Sequence, residues 1–419
     1  MDFFFTKKRA FIHLYQNLFI VFSAMHLVIL AAGEWSRLRP LTTTIPKPLT
    51  KLQWKTIIEH NLEPIIDYVD EIYLIVRYKS GIIRSYFWQE YKWKRIHYIE
   101  QIDKFWTGAA ILSLQGHIQW SFVVISWDDV YEKEDLKKLF DATWYTALCK
   151  AVEKPENFWI FVTNEHWKAV KLVEKPKNPS LGNMANMGVY RFDNAIFEEL
   201  STIPYSERGE LEITDLIDRY IGRWQFSVVE ATGKWTTIGY PWDLLKYNEE
   251  TLPFLSSENE GFIEEWVTLR GNIRIGKWTR IKSWSYLEGN IWIWENVTIG
   301  PNAYIRGNSS IWNDSKIGSF VELKNSYIGE HTFVPHLSYV GDSIIGNNTN
   351  LGAGVKIANL RHDWENVECV IKEKFVDTGR KKLWAIIGDD VKLWINTLIY
   401  PGRVLDTGKT SLPGEIIIK

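Results

Sequence analysis

Two cations follow a run of small residues at a spacing suited to handling phosphate. The apolar run Leu27-Val28-Ile29-Leu30 gives way to Ala31-Ala32-Gly33, and Arg37 and Lys47 come after it. Ala31, Ala32 and Gly33 remove bulk, so backbone N–H groups can close around a phosphate. Arg37 and Lys47 then supply fixed positive charge. In-line displacement at a nucleoside triphosphate is catalysed mainly by positioning and charge neutralisation, which these residue types provide. The spacing is not a Walker motif, and its bland reading is a strand, a glycine turn and two solvated cations. Further on, Val123-Val124-Ile125-Ser126-Trp127-Asp128 puts a carboxylate just past an apolar run, as a hard cation bridging phosphates requires. Asp129, the next residue, is expected to point elsewhere. His336, within a repeat described below, carries the side chain that titrates nearest neutrality and is a candidate general base.

These residues need a frame. Between Met25 and Pro253, β-rich apolar runs (Leu27–Leu30, Glu71–Val76, Phe122–Ile125, Gly188–Phe192) alternate with amphipathic stretches, which predicts a mainly parallel sheet covered by helices. Ligands in such sheets bind beyond the carboxyl ends of the strands, where the motifs fall. From Ile275 an apolar residue recurs every six: Ile281, Leu287, Ile293, Ile299, Ile305, Ile311, Ile317, Leu323. Three units of six make one coil of a triangular β-helix with these residues inside. The expected domains are 25–252, a polar linker 253–266, and 267–419, and the linker implies that truncation after about Pro253 spares the first activity.

The first motif resembles the signature of the sugar-1-phosphate nucleotidyltransferases, and the resemblance implies a Rossmann-like α/β domain followed by a left-handed parallel β-helix. It places Gln101, Trp106, Thr107 and Gly108 on the nucleobase, and makes Asp128 a Mg²⁺ ligand. It also implies that Trp159, Glu174, Lys175 and Asn186 hold the sugar phosphate. A second metal-ligand position holds Thr237 instead of Asp. The repeat resembles the hexapeptide acyltransferases, in particular the bifunctional type that acts on N-acetylglucosamine 1-phosphate. Carried over residue by residue, His336 is the base, Tyr339, Asn350 and Asn359 contact sugar or acetyl, and Arg306 and Lys324 contact phosphate. The implied reactions are acetyl transfer from acetyl-CoA to glucosamine 1-phosphate and nucleotidyl transfer from UTP with release of pyrophosphate. The ten-residue step from Arg37 to Lys47 keeps open a glucose-1-phosphate thymidylyltransferase with an inert tail, and Thr237 keeps open a non-catalytic sensing or assembly protein. Such prisms commonly form homotrimers.

A chain of 419 residues with formal net charge −2 gives no reason to invoke nucleic acid or a membrane, and two cysteines fit a reducing cytoplasm. Residues 1–24 are expected to be a spurious or disordered extension, with the protein starting at Met25. The composition holds one anomaly, 22 tryptophans beside 27 glycines. Three residues after each repeat position stands a turn slot: Trp278, Trp284, Asn290, Asn296, Asn302, Asn308, Asp314, Phe320. Asn, Asp and Gly tolerate a left-handed backbone, whereas an indole there is strained. Trp35, Trp106 and Trp127 stand where the resembling enzymes have glycine. The expectation is that all the tryptophans except Trp235 and Trp242 are UGA codons read as glycine in the source organism.

Overall fold

The computed structural model describes residues 25–34, 36–101, 106–165, 168–206, 209–358 and 360–418. The proposed extension 1–24, Trp35 and Asn359 lie outside them. The chain divides into two compact units, and the division does not follow chain order. The first comprises residues up to Gly33, His60–Trp127 and Tyr131–Trp235; the second comprises Glu34–Glu59, Asp128–Val130 and Thr236–Lys419.

The first unit is built on one sheet. Four parallel strands form its centre: β1 (His26–Ala31), β2 (Glu71–Val76), β3 (Lys94–Glu100) and β4 (Phe122–Ser126). Their order is β4-β1-β2-β3. Leu30 pairs with Ser126, Ala31 with Val76 and Val76 with Glu100, so the carboxyl ends of all four finish along one rim. Leu27, Val28 and Ile29 on β1 and Val123–Ile125 on β4 are buried, as strands covered on both faces must be. Beyond β4 come β5 (Tyr145–Ala151), β6 (Trp159–Thr163), β7 (Ala169–Glu174), β8 (Met184–Phe192) and β9 (Phe226–Glu230). β8 runs antiparallel to β4 and bends at Gly188, whose φ is 72°. A Cβ there would stand 3.3 Å from Ser126 Cβ, so glycine lets β8 pass the end of β4.

The second unit contains a parallel β-solenoid. Thr268–Ile275, Tyr286–Ile293 and Tyr304–Ile311 stack with Thr268 opposite Tyr286 and Tyr286 opposite Tyr304, one coil every 18 residues. The nine positions from Ile275 to Leu323 are all 1% exposed or less and share one core. The six-residue period therefore marks the inward face. The turn slots at 278, 284, 296, 302, 314 and 320 all have positive φ. At Asn290 and Asn308 the expectation fails, because the bend is taken one residue earlier by Gly289 (φ 112°), where the backbone of Gly307 approaches too closely for a Cβ, and by Gly307 (φ 73°), where the Asn325 side chain does.

Two connections adjoin this stack. Residues 253–266, expected as a linker, include the strands Glu258–Asn259 and Phe262–Ile263, which pair with Arg274–Ile275 and Arg280–Ile281 of the first coil. Polar composition did not prevent strand pairing, because the coil below supplies an open edge. After Ile357 the solenoid is interrupted by an antiparallel hairpin, Glu368–Ile371 with Lys374–Asp377, and resumes where Ile386 pairs with Ile344. Both cysteines are free and buried, and burial pushes each thiol up to about 12. No helix among the described residues is long and apolar enough to cross a membrane.

Candidate functional site

In the first unit the expected nucleotide and sugar residues lie along the rim of carboxyl ends. Ala31 ends β1 and is buried with Ala32, and Gly33 follows half-buried. Gln101 leaves β3 with its N–H donated to Val76 O (3.1 Å), which fixes it at the rim, and its side chain is 5% exposed. Its amide donates to Trp106 O (3.3 Å). Trp106 precedes the short helix Thr107–Leu112 at φ −110°, ψ 148°, a region open to any residue. Its backbone therefore does not itself call for glycine. Thr107 Oγ1 accepts the Ile213 N–H (3.4 Å), and Gly108 lies against the Leu211 carbonyl, where a Cβ would stand 2.6 Å from the oxygen. Gly108 is thus small for packing as well as for any ligand.

The sugar-phosphate residues sit on neighbouring strands. Trp159 on β6 is opposite Glu174 on β7, and Ile160 is opposite Ala185, the residue before Asn186 on β8. Lys175 follows at φ 41° with its N–H on Phe158 O (2.8 Å), so its exposed side chain leaves the strand at a sharp turn. Asn186 Oδ1 accepts the Gly188 N–H (3.0 Å), and its amide donates to Tyr190 OH (2.8 Å). These two bonds orient Asn186 beside the bend past the end of β4.

Arg37, Lys47 and Asp128 are gathered in the second unit. Lys47 opens a single helical turn, Lys47–Leu49, and is 1% exposed, which is incompatible with a solvated cation. Its ammonium is 3.7 Å from Asp128 Oδ2. Burial holds the Lys47 ammonium below its usual range, while the charges of Asp128, Asp129 and Asp243 pull the other way. The charge of Asp129, the residue after Asp128, thus acts on the same ammonium. Arg37 is exposed, with its guanidinium carbon 5.6 Å from the centre of the Tyr240 ring. Asp243 Oδ2 accepts the N–H groups of Gly239 and Tyr240, both at 2.7 Å, and its burial raises the carboxyl above the usual range. Tyr240 was missed as a member of the site; the only signal for it was the Tyr-Pro-Trp-Asp run after Thr237. Thr237 itself is exposed.

Among the described residues no three His, Cys, Asp or Glu side chains form a metal cage. Asp128, 17% exposed and followed by Asp129, instead suits a hard ion that keeps water and phosphate among its ligands.

On the solenoid, Arg306 pairs with Lys324 across adjacent coils, and Glu322 with Tyr339. Arg306 donates from Nε and Nη2 to Glu322 Oε1 (2.9 and 2.7 Å), and Lys324 Nζ donates to Asp342 Oδ2 (3.1 Å). A phosphate at either cation has a carboxylate to compete with. The ring of Tyr339 lies 5.0 Å from that of Trp384. His336 ends the strand Phe333–His336 at the corner leading to Tyr339; it is exposed, and its carbonyl accepts from Ser338 Oγ (2.8 Å) and Gly354 N (3.2 Å). Asn350, also exposed, is opposite Phe333 on the next coil.

The nucleotidyl transferase family matches residues 26–253, and the GMPPB C-terminal domain matches 287–411. The chain is 40% identical over 378 residues to the "Bifunctional protein GlmU" of Methanocaldococcus jannaschii, covering 90% of this chain and 91% of that one. A protein of the same description from Methanococcus maripaludis strain C7 is 45% identical over 391 residues, 93% of each chain. The "Bifunctional sugar-1-phosphate nucleotidylyltransferase/acetyltransferase" of Sulfurisphaera tokodaii is 36% identical over 94% of this chain and 97% of its own. A solved structure of a putative glucose-1-phosphate thymidylyltransferase from Bacillus anthracis has a TM-score of 0.51 and 25% identity, and covers 56% of this chain and 98% of that one.

Proposed function

Because the chain belongs to the nucleotidyl transferase family and is an enzyme of the sugar-1-phosphate nucleotidyltransferase type, we propose that it couples UTP to N-acetylglucosamine 1-phosphate and also acetylates glucosamine 1-phosphate from acetyl-CoA. The observation that carries the first reaction is the buried Lys47 ammonium beside Asp128. A cation held dry in this way is worth more to developing phosphate charge than one in water. Lys47 and Arg37 neutralise the triphosphate as an oxygen of the sugar phosphate attacks the α-phosphorus and pyrophosphate leaves. Gln101 and Gly108 face the base, and Glu174, Lys175, Trp159 and Asn186 bind the sugar phosphate. Mg²⁺ held by Asp128 would add charge neutralisation at the phosphate oxygens.

In the second reaction His336 takes the proton from the attacking amine, with Tyr339, Asn350 and Asn359 at the sugar and acetyl groups and Arg306 and Lys324 at the phosphate. Relatives matched along nearly their whole length carry bifunctional descriptions, which supports this reading over an inert tail. The proposal extends to a left-handed solenoid that forms a homotrimer, to a cytoplasmic setting, and to glycine in place of 20 tryptophans, with Trp235 and Trp242 retained. Among the described residues, seven tryptophans at positive φ (Trp88, Trp93, Trp224, Trp266, Trp278, Trp284, Trp364) support the last point.

The test is a screen of four nucleoside triphosphates against several sugar 1-phosphates, reading pyrophosphate. UTP with N-acetylglucosamine 1-phosphate should give the highest turnover, and Asp128→Asn should remove most of it without unfolding the protein. Near-normal pyrophosphate release by that variant would rule out the role given to Asp128.

A further inference from the structure

Residues 34–59, which carry Arg37 and Lys47, belong to the compact unit of the solenoid. Leu38, Leu41, Leu52 and Ile57 are buried in one apolar cluster with Trp312, Tyr327, Ile344 and Ile386 of the solenoid and its strands. The polar ties are more specific. Thr44 Oγ1 donates to Asp389 Oδ2, and Lys51 Nζ donates to Glu330 Oε1. Tyr327 OH donates to Lys51 O (3.4 Å), and Thr407 Oγ1 to Pro40 O (3.3 Å). Gly388 permits this approach, since a Cβ on it would stand 2.8 Å from Pro40 Cβ.

Both carboxylates are themselves held. Asp389 is 2% exposed and its Oδ1 accepts the Asn347 N–H (2.6 Å); Glu330 Oε1 also accepts from Asn313 Nδ2 (3.2 Å). Thr44 and Lys51 bracket Lys47, whose short turn is closed by Thr50 N–H on Lys47 O (2.9 Å). An adhesive surface alone would require only the apolar cluster. Two oriented carboxylates, one bonded to a residue before Lys47 in the segment and one to a residue after it, fix where the turn sits along the solenoid.

We infer that Asp389 and Glu330 are positioning residues for nucleotidyl transfer, holding the segment that presents Lys47, so that this activity depends on the solenoid. The inference rests on the nucleotidyl-transfer reading. It reverses the expectation that truncation after Pro253 spares that activity, since truncation removes both carboxylates.

Thr44→Val/Lys51→Met cuts the two ties from the segment side without touching the solenoid core, and Asp389→Ala/Glu330→Ala cuts them from the other side. In the full chain each pair should lower kcat for pyrophosphate release by about 10–100-fold, the range a small displacement of a positioned group costs. KM for the triphosphate should stay within about threefold, because the ties act on placement of charge rather than on uniform binding. The four-fold variant should lose no more than either pair, as coupled partners do, and Asp389→Asn, which can still accept from Thr44, should recover most of the loss. The Thr44→Val/Lys51→Met variant should stay folded, its melting temperature only a few degrees below that of the parent because the buried Asp389 carboxylate loses one donor. Full kcat in that variant, or additive losses in the four-fold variant, overturns the inference. A second readout needs no turnover: acylation of Lys47 by a soluble amine-reactive ester, followed by mass spectrometry, should rise in both pairs relative to Lys171 of the first unit. A parent that releases no pyrophosphate refutes the functional reading alone, whereas unchanged Lys47 acylation refutes the positioning.

Discussion

Replacing tryptophan by glycine usually weakens a protein, and here it should do the opposite at five places. Trp88, Trp93, Trp224, Trp278 and Trp364 have φ between 56° and 70°. They are 65–91% exposed, so their indoles contribute little to either core. Trp88 is the most strained, because its ψ of −133° takes it outside the left-handed helical well into a region suited to glycine. Trp266 and Trp284 also have positive φ but stack on each other at 5.4 Å, so they are left in place. A left-handed backbone costs an L-residue about 1–2 kcal/mol, and the extra freedom of glycine in the unfolded chain returns roughly 0.4–1 kcal/mol of that. The net gain is about 0.5–1 kcal/mol per site, or about 2–5 kcal/mol for the five if well-separated sites add. The assay is a denaturant midpoint for the parent, the five-fold glycine variant and Trp144→Gly. Trp144 is 68% exposed and is not among the positive-φ residues, so its replacement should be neutral or destabilising. A five-fold variant less stable than the parent would refute the strain argument and remove the main physical support for glycine at these positions. Mass spectrometry of the protein from its own organism checks the same point at residues 278 and 284.

Lys47→Met should reduce pyrophosphate release by ~10²–10³-fold, as loss of a preorganised charge in a dry site does, yet leave the protein no less stable at pH 7. Burial lowers the Lys47 ammonium below the usual lysine range, so folding there carries the cost of a buried charge at neutral pH. That cost fades as the pH rises through the depressed value, and the stability gap between variant and parent should close in the same direction; a gap that widens with pH contradicts the assignment. His336→Ala should cut thiol release from acetyl-CoA by ~10²–10⁴-fold, the usual contribution of a positioned general base, while pyrophosphate release from UTP with pre-acetylated sugar phosphate continues. Equal loss of both activities would assign His336 a structural role instead.

Local rules were sufficient for much of this molecule. Periodicity alone identified the buried positions of the solenoid, because a repeat of six residues presents the same face to the interior whatever the coil packs against. Turn chemistry located the left-handed slots at Trp278 and Trp284, since φ is a property of one residue and its neighbours. The rim that carries Ala31 and Gln101 followed from the alternation of strands and helices, which obliges a parallel sheet to align its carboxyl ends. Tertiary structure decided the rest. That Asp128, Asp129 and Asp243 all act on the Lys47 ammonium is a tertiary fact, because these carboxylates lie 81–196 residues away from it in the chain. Polar composition in 253–266 read as a linker, yet an unpaired strand edge one coil away was enough to recruit it into the sheet. The affiliation of residues 34–59 was likewise invisible: Thr44 and Lys51 are ordinary polar residues until Asp389 and Glu330, 345 and 279 positions later, hold them, and sequence spacing carries no information about contacts at that separation.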